Sequence, residues 1–262
     1  ATLKMAMRVE TIQDVDILAR IAEQHPIWDS FSHSPTGKTP FVWDSCPVRP
    51  SAHLSASLRA GIRAFVIDSV DEAVRILHAQ KRLQIIGPIS FVVLVRTRGP
   101  QSATSAADVY GSRVAQMNKF AARLKKIRAN VIGVTTFVRD QRRLDSVMPT
   151  LEAAIECLQA HEHSIQFVSL QGLDQGAVEE CWIATNLRQQ DESVQRLRAK
   201  FRIPRVFCDA TRYLLADTHV LFARVIGEKP AFDADGMMVG HQYYIDDGCY
   251  GSFGRMHVTG GD

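Results

Sequence analysis

The sequence predicts an α/β fold, a (β/α)8 TIM barrel that leads into a partial C-terminal β domain. Short runs of β-branched and other apolar residues alternate with longer stretches of helical period, a pattern typical of βα units around a parallel sheet. About seven such units end at residue 208, and the segments beyond it resemble long strands with no helix of comparable length between them. We therefore expect the barrel over residues 1–212 and the start of the β domain over residues 213–262.

The strands are predicted from short runs rich in β-branched and apolar residues. The barrel strands are expected at residues 2–6, 41–43, 64–67, 90–95, 131–137, 166–169 and 205–208. The β domain is expected to begin with long strands at residues 213–227 and 242–246, joined by a polar linker at residues 228–240. Catalytic and ligand-binding groups of (β/α)8 barrels lie at the carboxyl ends of the strands, so a site is sought there.

The helices are predicted from apolar residues that recur every three or four positions. The helix after the first strand has an apolar face formed by Ile12, Val15, Leu18, Ala19 and Ala22. The helix at residues 112–129 has an apolar face formed by Val114, Met117, Phe120, Ala121 and Leu124. In the pair Asp68 and Ser69, followed by Glu72, the spacing is typical of a capping box, which predicts a helix start rather than a site.

The composition excludes several classes of function. The 262 residues are 46% hydrophobic and 23% charged, as in soluble globular proteins, and the net charge of +3 is too small for a nucleic-acid binder. No apolar run is long enough to span a membrane. The five cysteines form no CxxC pair and the nine histidines no HExxH motif, so neither disulfides nor a metal site are indicated. We expect a cytoplasmic protein with a small-molecule ligand.

Several polar and charged residues follow the predicted strands and are candidates for chemistry. They are Lys4, Asp44, Cys46, Asp68, Arg96, Arg139, Asp140, Ser169, Gln171, Asp209 and Arg212. A lysine at a strand end suits Schiff-base chemistry, whereas Asp209 and Arg212 place a carboxylate and a guanidinium close together in the chain. This spacing alone does not distinguish between these kinds of chemistry.

The sequence YYIDDGCYGSF at residues 243–253 closely resembles the YYVNDGVYGSF segment of the ornithine decarboxylases and, with them, the fold-type III pyridoxal-phosphate (PLP) decarboxylases. Weaker similarities follow in chain order. TLKMA at 2–6 resembles the ALKAN strand whose lysine holds the cofactor, WDSFS at 28–32 resembles FDCAS, DSC at 44–46 stands for NPC, FVIDS at 65–69 resembles TFDS, GVTTFV at 133–138 resembles GVSFHV, and DATRY at 209–213 resembles EPGRY. The resemblance covers nearly the whole chain and implies the barrel with a C-terminal β domain.

The departures from this family concern the cofactor. The resemblance implies that Lys4 corresponds to the Schiff-base lysine, but Phe137 stands where the family has a histidine that stacks on the PLP ring. Asp140 lies where the family provides phosphate donors, and like charges about 4 Å apart cost about 4 kcal/mol at an effective dielectric constant of 20. Leu173 lies in the segment that replaces the phosphate-binding glycine turn, where a side chain occupies space the ligand needs.

These features predict a decarboxylase-like protein that has lost PLP-dependent decarboxylation and acts on another small molecule by cofactor-independent acid–base chemistry. The expected catalytic residues are Lys4, Asp140 and Asp209. The expected ligand-binding residues are Asp29, Arg96, Phe137, Leu173 and Arg212. No cofactor or metal is expected, and the resemblance near residues 247–253 to a segment close to the family's subunit interface implies a homodimer. The alternatives are a non-catalytic regulatory pseudoenzyme and an active PLP-dependent decarboxylase in which Lys4 forms the Schiff base.

Overall fold

The computed structural model describes residues 6–24, 41–97, 111–138, 144–171, 180–208 and 222–247. Contacts between residues divide the chain into two compact units, Ala1–Ala210 and Thr211–Asp262. Within the described residues, the first unit contains parallel strands alternating with helices, and the second contains one antiparallel pair of strands.

In the described part of the first unit, parallel strands are hydrogen-bonded in chain order into one sheet. They are β1 (Ala6–Val9), β2 (Phe41–Asp44), β3 (Ala64–Ile67), β4 (Ser90–Val95), β5 (Asn130–Phe137), β6 (Phe167–Gln171) and β7 (Arg205–Cys208). The helices between them are α1 (Ile12–Gln24), α2 (Ser51–Arg59), α3 (Val70–Arg82), α4 (Val114–Lys126), α5 (Leu144–Ala160) and α6 (Glu180–Phe201). When consecutive strands of the chain are parallel neighbours in the sheet, a crossover connection must join each strand to the next, and the helices provide these connections.

The sheet curls into a nearly closed barrel. In a flat sheet, β2 and β7 would be about 24 Å apart, since neighbouring strands are spaced about 4.8 Å. Instead, the ring of Phe207 on β7 lies with its centroid 6.2 Å from that of Phe41 and 5.7 Å from that of Trp43, both on β2. The predicted TIM-barrel fold is therefore confirmed.

Successive strand residues point alternately into the barrel and out toward the helices, and this produces two separate apolar clusters. The interior cluster consists of buried side chains of β2 to β6, namely Phe41, Trp43, Ala64, Val66, Val92, Leu94, Ile132 and Phe167. The partly buried Ala6, Phe137 and Phe207 pack against this cluster. The outer cluster joins the other strand faces to the helices, where Met117, Phe120, Ala121 and Leu124 are buried on α4 as predicted.

Two helices, α3 and α1, begin at side-chain caps. The Ser69 hydroxyl accepts a hydrogen bond from the Glu72 N–H at 3.3 Å at the start of α3, which confirms the predicted cap. The Glu72 carboxylate does not complete a capping box, because it binds two arginines instead. At the start of α1, the Asp14 carboxylate accepts the N–H groups of Glu10 and Thr11, both at 2.9 Å.

Two predicted boundaries are wrong. The first strand was expected at residues 2–6, but residues 7–9 also belong to β1, so its carboxyl end is Val9. In the second unit, the expected linker at residues 228–240 is mostly strand, because β8 (Val225–Phe232) and β9 (Met238–Ile245) pair as an antiparallel hairpin. The predicted segment at residues 213–221 lies outside the described residues.

The Asp233 carboxylate forms the turn of this hairpin, because it accepts the N–H groups of Asp235 and Met237 at 3.0 and 2.8 Å. Gly236 provides the positive φ, 76°, that the turn requires. Across the described segments of the chain, no helix is both long and apolar enough to span a membrane.

Candidate functional site

The carboxyl ends of the barrel strands form the end of the barrel that we call the mouth. The rings of Phe41, Trp43, Phe167 and Phe207 fill the interior up to the mouth, with neighbouring centroids 5.2 to 6.2 Å apart and Trp43 at the level of Arg8. A barrel packed in this way is not a pore. A small molecule therefore cannot pass through the described interior, and several inward positions at the mouth carry polar side chains.

Arg8 occupies the inward position nearest the carboxyl end of β1. It follows Ala6, which packs against the interior cluster, and it is the register partner of Trp43 on β2. Its Nη1 donates a hydrogen bond to the Oε1 of Gln171 on β6 at 2.8 Å, and its Nη2 lies 3.1 Å from the Oε1 of Glu10. The Arg8 side chain is 25% exposed, so a cation reaches solvent at the mouth.

Gln171, the last residue of β6, holds Arg8 in place. Its side chain is buried, and its Nε2 donates a hydrogen bond to the Oγ1 of Thr135 on β5 at 2.8 Å. Both ends of the Gln171 amide are therefore used, one by Thr135 and the other by Arg8. These two hydrogen bonds, from Gln171 to Thr135 and from Arg8 to Gln171, link β5, β6 and β1 across the mouth. They hold the Arg8 guanidinium against a buried polar side chain.

Trp43 contributes a second donor beside Arg8. Its side chain is 4% exposed, and the buried Nε1–H has no hydrogen-bond acceptor among the described residues. A buried N–H without an acceptor is unusual in folded proteins, where most such groups are paired. The two donors, Arg8 and Trp43, stand at the same level on neighbouring strands.

Phe137 and Arg96 are the predicted ligand-binding residues that fall within the described residues, and both lie at strand ends. Phe137 ends β5 and packs against the interior cluster, and its carbonyl accepts a hydrogen bond from the Thr97 hydroxyl at 3.3 Å. Arg96 follows β4, and its N–H donates to the Ser112 carbonyl at 3.0 Å. Gly111 permits this close approach, because a Cβ there would lie 3.0 Å from the Arg96 nitrogen and its φ is 102°.

The other predicted site residues lie outside the described residues. They are Lys4, Asp29, Asp140, Leu173, Asp209 and Arg212. Their roles stay predictions. Arg8 was missed because the first strand was placed too early in the sequence. The alternation from Ala6 to Arg8, followed directly by the capped start of α1, is the signal that would have identified it.

Asp44 follows Trp43 and therefore faces away from the mouth, toward the helices. Its buried carboxylate accepts a hydrogen bond from the Ser57 hydroxyl at 2.9 Å and lies 3.1 Å from the His53 Nε2, both on α2. The buried Arg49 guanidinium lies between two buried carboxylates, 3.3 Å from Asp44 and 2.7 Å from Glu72, and Arg75 also pairs with Glu72 at 2.7 Å. This network joins β2, α2 and α3 and has a structural role.

Cys46, which also follows β2, is not an activated nucleophile. Burial raises the pKa of its thiol, although Arg49 opposes the shift, and its Sγ donates to the Val48 carbonyl at 2.9 Å. At neutral pH the protonated thiol is the main form, and thiols react through the thiolate. A surface cavity of about 160 Å³ lies elsewhere, between α2 and α3, and is not part of the mouth.

Comparison with known proteins identifies the fold. No protein-family model and no curated protein matches the sequence. An arginine decarboxylase of Paramecium bursaria Chlorella virus, bound to agmatine, matches with a TM-score of 0.68 at 12% identity over 96% of this chain and 62% of that one. A lysine decarboxylase of Selenomonas ruminantium matches with a TM-score of 0.65 at 15% identity, over 97% and 61%.

A lysine/ornithine decarboxylase of Vibrio vulnificus, complexed with putrescine, matches with a TM-score of 0.62 at 16% identity over 96% of this chain and 61% of that one. SrLDC, solved in complex with PLP and cadaverine, matches with a TM-score of 0.63 at 17% identity. The chain thus spans about three fifths of the length of the structures that it matches. Its structural neighbours are the PLP-dependent fold-type III decarboxylases, as the resemblance in sequence implied, and the chain has their fold.

Proposed function

We propose that this protein, built on the fold of the PLP-dependent decarboxylases, binds a small molecule at the barrel mouth and acts on it by acid–base chemistry without PLP. The observation that carries the proposal is the guanidinium of Arg8 at the inward carboxyl end of β1, fixed by Gln171. Fold alone does not imply function, whereas the residues of the mouth decide what can bind there.

The described mouth does not suit a PLP Schiff base. A Schiff base forms when a neutral amine attacks the aldehyde, and the guanidinium of an arginine such as Arg8 provides no such amine. Among the described residues, no lysine lies at the carboxyl end of a barrel strand. Phe137 offers an apolar ring at the end of β5 and no donor from its side chain. These residues support a reaction that does not pass through the cofactor.

The proposed acid and base are Asp140 and Asp209, which follow β5 and β7 in the chain. Arg212 and Arg8 are the proposed cationic complement, because charge on a substrate or intermediate needs compensation. Lys4 was expected at the carboxyl end of the first strand, but that end is Val9, so Lys4 is no longer proposed for the mouth. The structural neighbours hold agmatine, putrescine or PLP with cadaverine. At 12 to 17% identity, these ligands are properties of those proteins. A homodimer is also proposed, as the resemblance near residues 247–253 implied.

The test is to incubate the purified protein with PLP, reduce it with borohydride and search the intact mass and its peptides for a lysine-linked adduct. We expect no stoichiometric adduct and no visible absorbance band of a lysine–PLP Schiff base. Lys81, exposed on α3, provides a matched control for non-specific labelling when it is replaced by Ala. An adduct that disappears in Lys4→Ala and persists in Lys81→Ala would show that the protein is a PLP enzyme.

A further inference from the structure

We infer that the ligand of the barrel mouth carries a single carboxylate group, bound by the guanidinium of Arg8 and the indole N–H of Trp43. This inference rests on the proposed function and specifies its substrate class. It follows from three features of the described residues, which are the fixed position of Arg8, its exposed ion pair with Glu10, and the indole N–H of Trp43 on the neighbouring strand.

The first feature is that Arg8 is pre-organised for an anion. Its Nη1 is held by Gln171, a buried side chain that is held in turn by Thr135. A guanidinium fixed in this way loses little side-chain entropy when a ligand binds. The planar fork of an arginine matches the two oxygens of a carboxylate, which favours recognition of this group over a neutral polar group.

The second feature is that Arg8 already binds a carboxylate that a ligand can replace. Glu10 approaches its Nη2 at 3.1 Å, with the two side chains 25% and 52% exposed. Exposed ion pairs contribute little free energy, because solvent screens the charges and ordering the side chains costs entropy. A ligand carboxylate that enters the mouth therefore exchanges with Glu10 at small cost and finds the same donor.

The third feature is the donor of Trp43. Its Nε1–H is buried without an acceptor among the described residues, and Trp43 is the register partner of Arg8. Strands in a sheet lie about 4.8 Å apart, so the two side chains begin within reach of one small group. A ligand oxygen that accepts the indole N–H would satisfy a donor that the protein leaves unpaired.

The charge and the lining indicate what else the ligand carries. Among the described residues of the mouth, a phosphate near −2 would exceed the single positive charge of Arg8 even after Glu10 has moved away, whereas the charge of a monocarboxylate equals that of the Glu10 carboxylate it replaces. Phe137, half-buried at the end of β5 and packed against the interior cluster, provides an apolar surface at the same end of the barrel. A carboxylate attached to an apolar or aromatic body fits this combination.

The experiment is calorimetric titration of the protein with benzoate and with benzamide, which has the same shape without the charge. We expect saturable binding of benzoate with a Kd below about 10 mM and binding of benzamide at least about 10-fold weaker. Arg8→Met should weaken benzoate binding about 10- to 100-fold and leave the weak binding of benzamide unchanged. Arg20→Met, an exposed arginine on α1, is the matched control and should bind benzoate like the wild type.

A second variant distinguishes loss of the carboxylate site from misfolding of Arg8→Met. Gln171→Met keeps the charge of Arg8 but removes its support, so it should weaken benzoate binding and leave benzamide binding unchanged, whereas general damage would weaken both. Equal affinity of the wild type for the two probes, no saturable benzoate binding, or unchanged binding in Arg8→Met would each overturn the inference. A lysine-linked PLP adduct together with benzoate binding that depends on Arg8 would overturn the proposed function alone.

Discussion

Replacing Gly133 by Ala tests the packing of the barrel interior. Gly133 lies in β5, and a Cβ at this position would stand 2.6 Å from two ring atoms of Phe167 on β6 and 2.9 Å from a third. The nearest ring atoms are thus about 0.8 Å closer than ordinary van der Waals contact. The ring cannot move away freely, because Phe41 and Phe207 pack against it with centroids 5.4 and 5.2 Å away.

The expected effect follows from two opposing contributions. Overpacking a close-packed core by one methyl group costs about 1 to 3 kcal/mol. Replacing a glycine also reduces the conformational entropy of the unfolded chain, which stabilises the folded state by about 0.4 to 1 kcal/mol. We therefore expect Gly133→Ala to lower the free energy of unfolding by about 1 to 2 kcal/mol, which corresponds to a Tm lower by about 2 to 8 °C in a domain of this size.

The assay is thermal unfolding followed by circular dichroism, with Gly227→Ala as the control. Gly227 is also a strand glycine, but a Cβ there would meet the Tyr244 ring at 3.5 Å, an ordinary contact. The control should change the free energy of unfolding by less than about 0.5 kcal/mol. In a Phe167→Leu background, the cost of Gly133→Ala should shrink, since the clashing ring is gone. An unchanged or raised Tm in Gly133→Ala would refute the packing argument.

The remaining predictions concern buried charge and pH. Arg49→Met should destabilise the protein by about 3 to 5 kcal/mol in urea unfolding, because Asp44 would stay buried without this counter-ion and Glu72 would be left with Arg75. Lys125→Met, which breaks a pair with 51% and 79% exposed side chains, should cost less than about 1 kcal/mol, and equal costs of the two changes would contradict this reasoning. Burial lowers the pKa of His163, although its hydrogen bond to a carbonyl opposes the shift. The unfolded chain then binds the proton more readily, so stability is complete above pH about 6.5 and falls on acidification. His163→Gln should show a smaller loss of Tm between pH 7.5 and pH 5.5, and an unchanged slope would exclude this contribution.

The residues of the site were only partly predictable from the sequence. Phe137 and Arg96 were placed correctly at strand ends, because the apolar runs before them mark strands of the right length. Asp44 was grouped with them, but a shift of one residue along a strand reverses the face to which a side chain points. The same rule explains Arg8. With the first strand placed at residues 2–6, its inward position at the mouth could not be recognised.

The sequence by itself determined the kind and order of the elements. The periods of apolar residues and local caps such as Ser69 act over a few neighbours along the chain, so the start of α3, the helix α4 and most strands were predicted with small boundary errors. The tertiary structure decided which distant residues share the mouth. Arg8 and Gln171 are 163 residues apart in sequence and meet only because the sheet curls round, since hydrogen bonds between strands and the packing of the interior rings set the register.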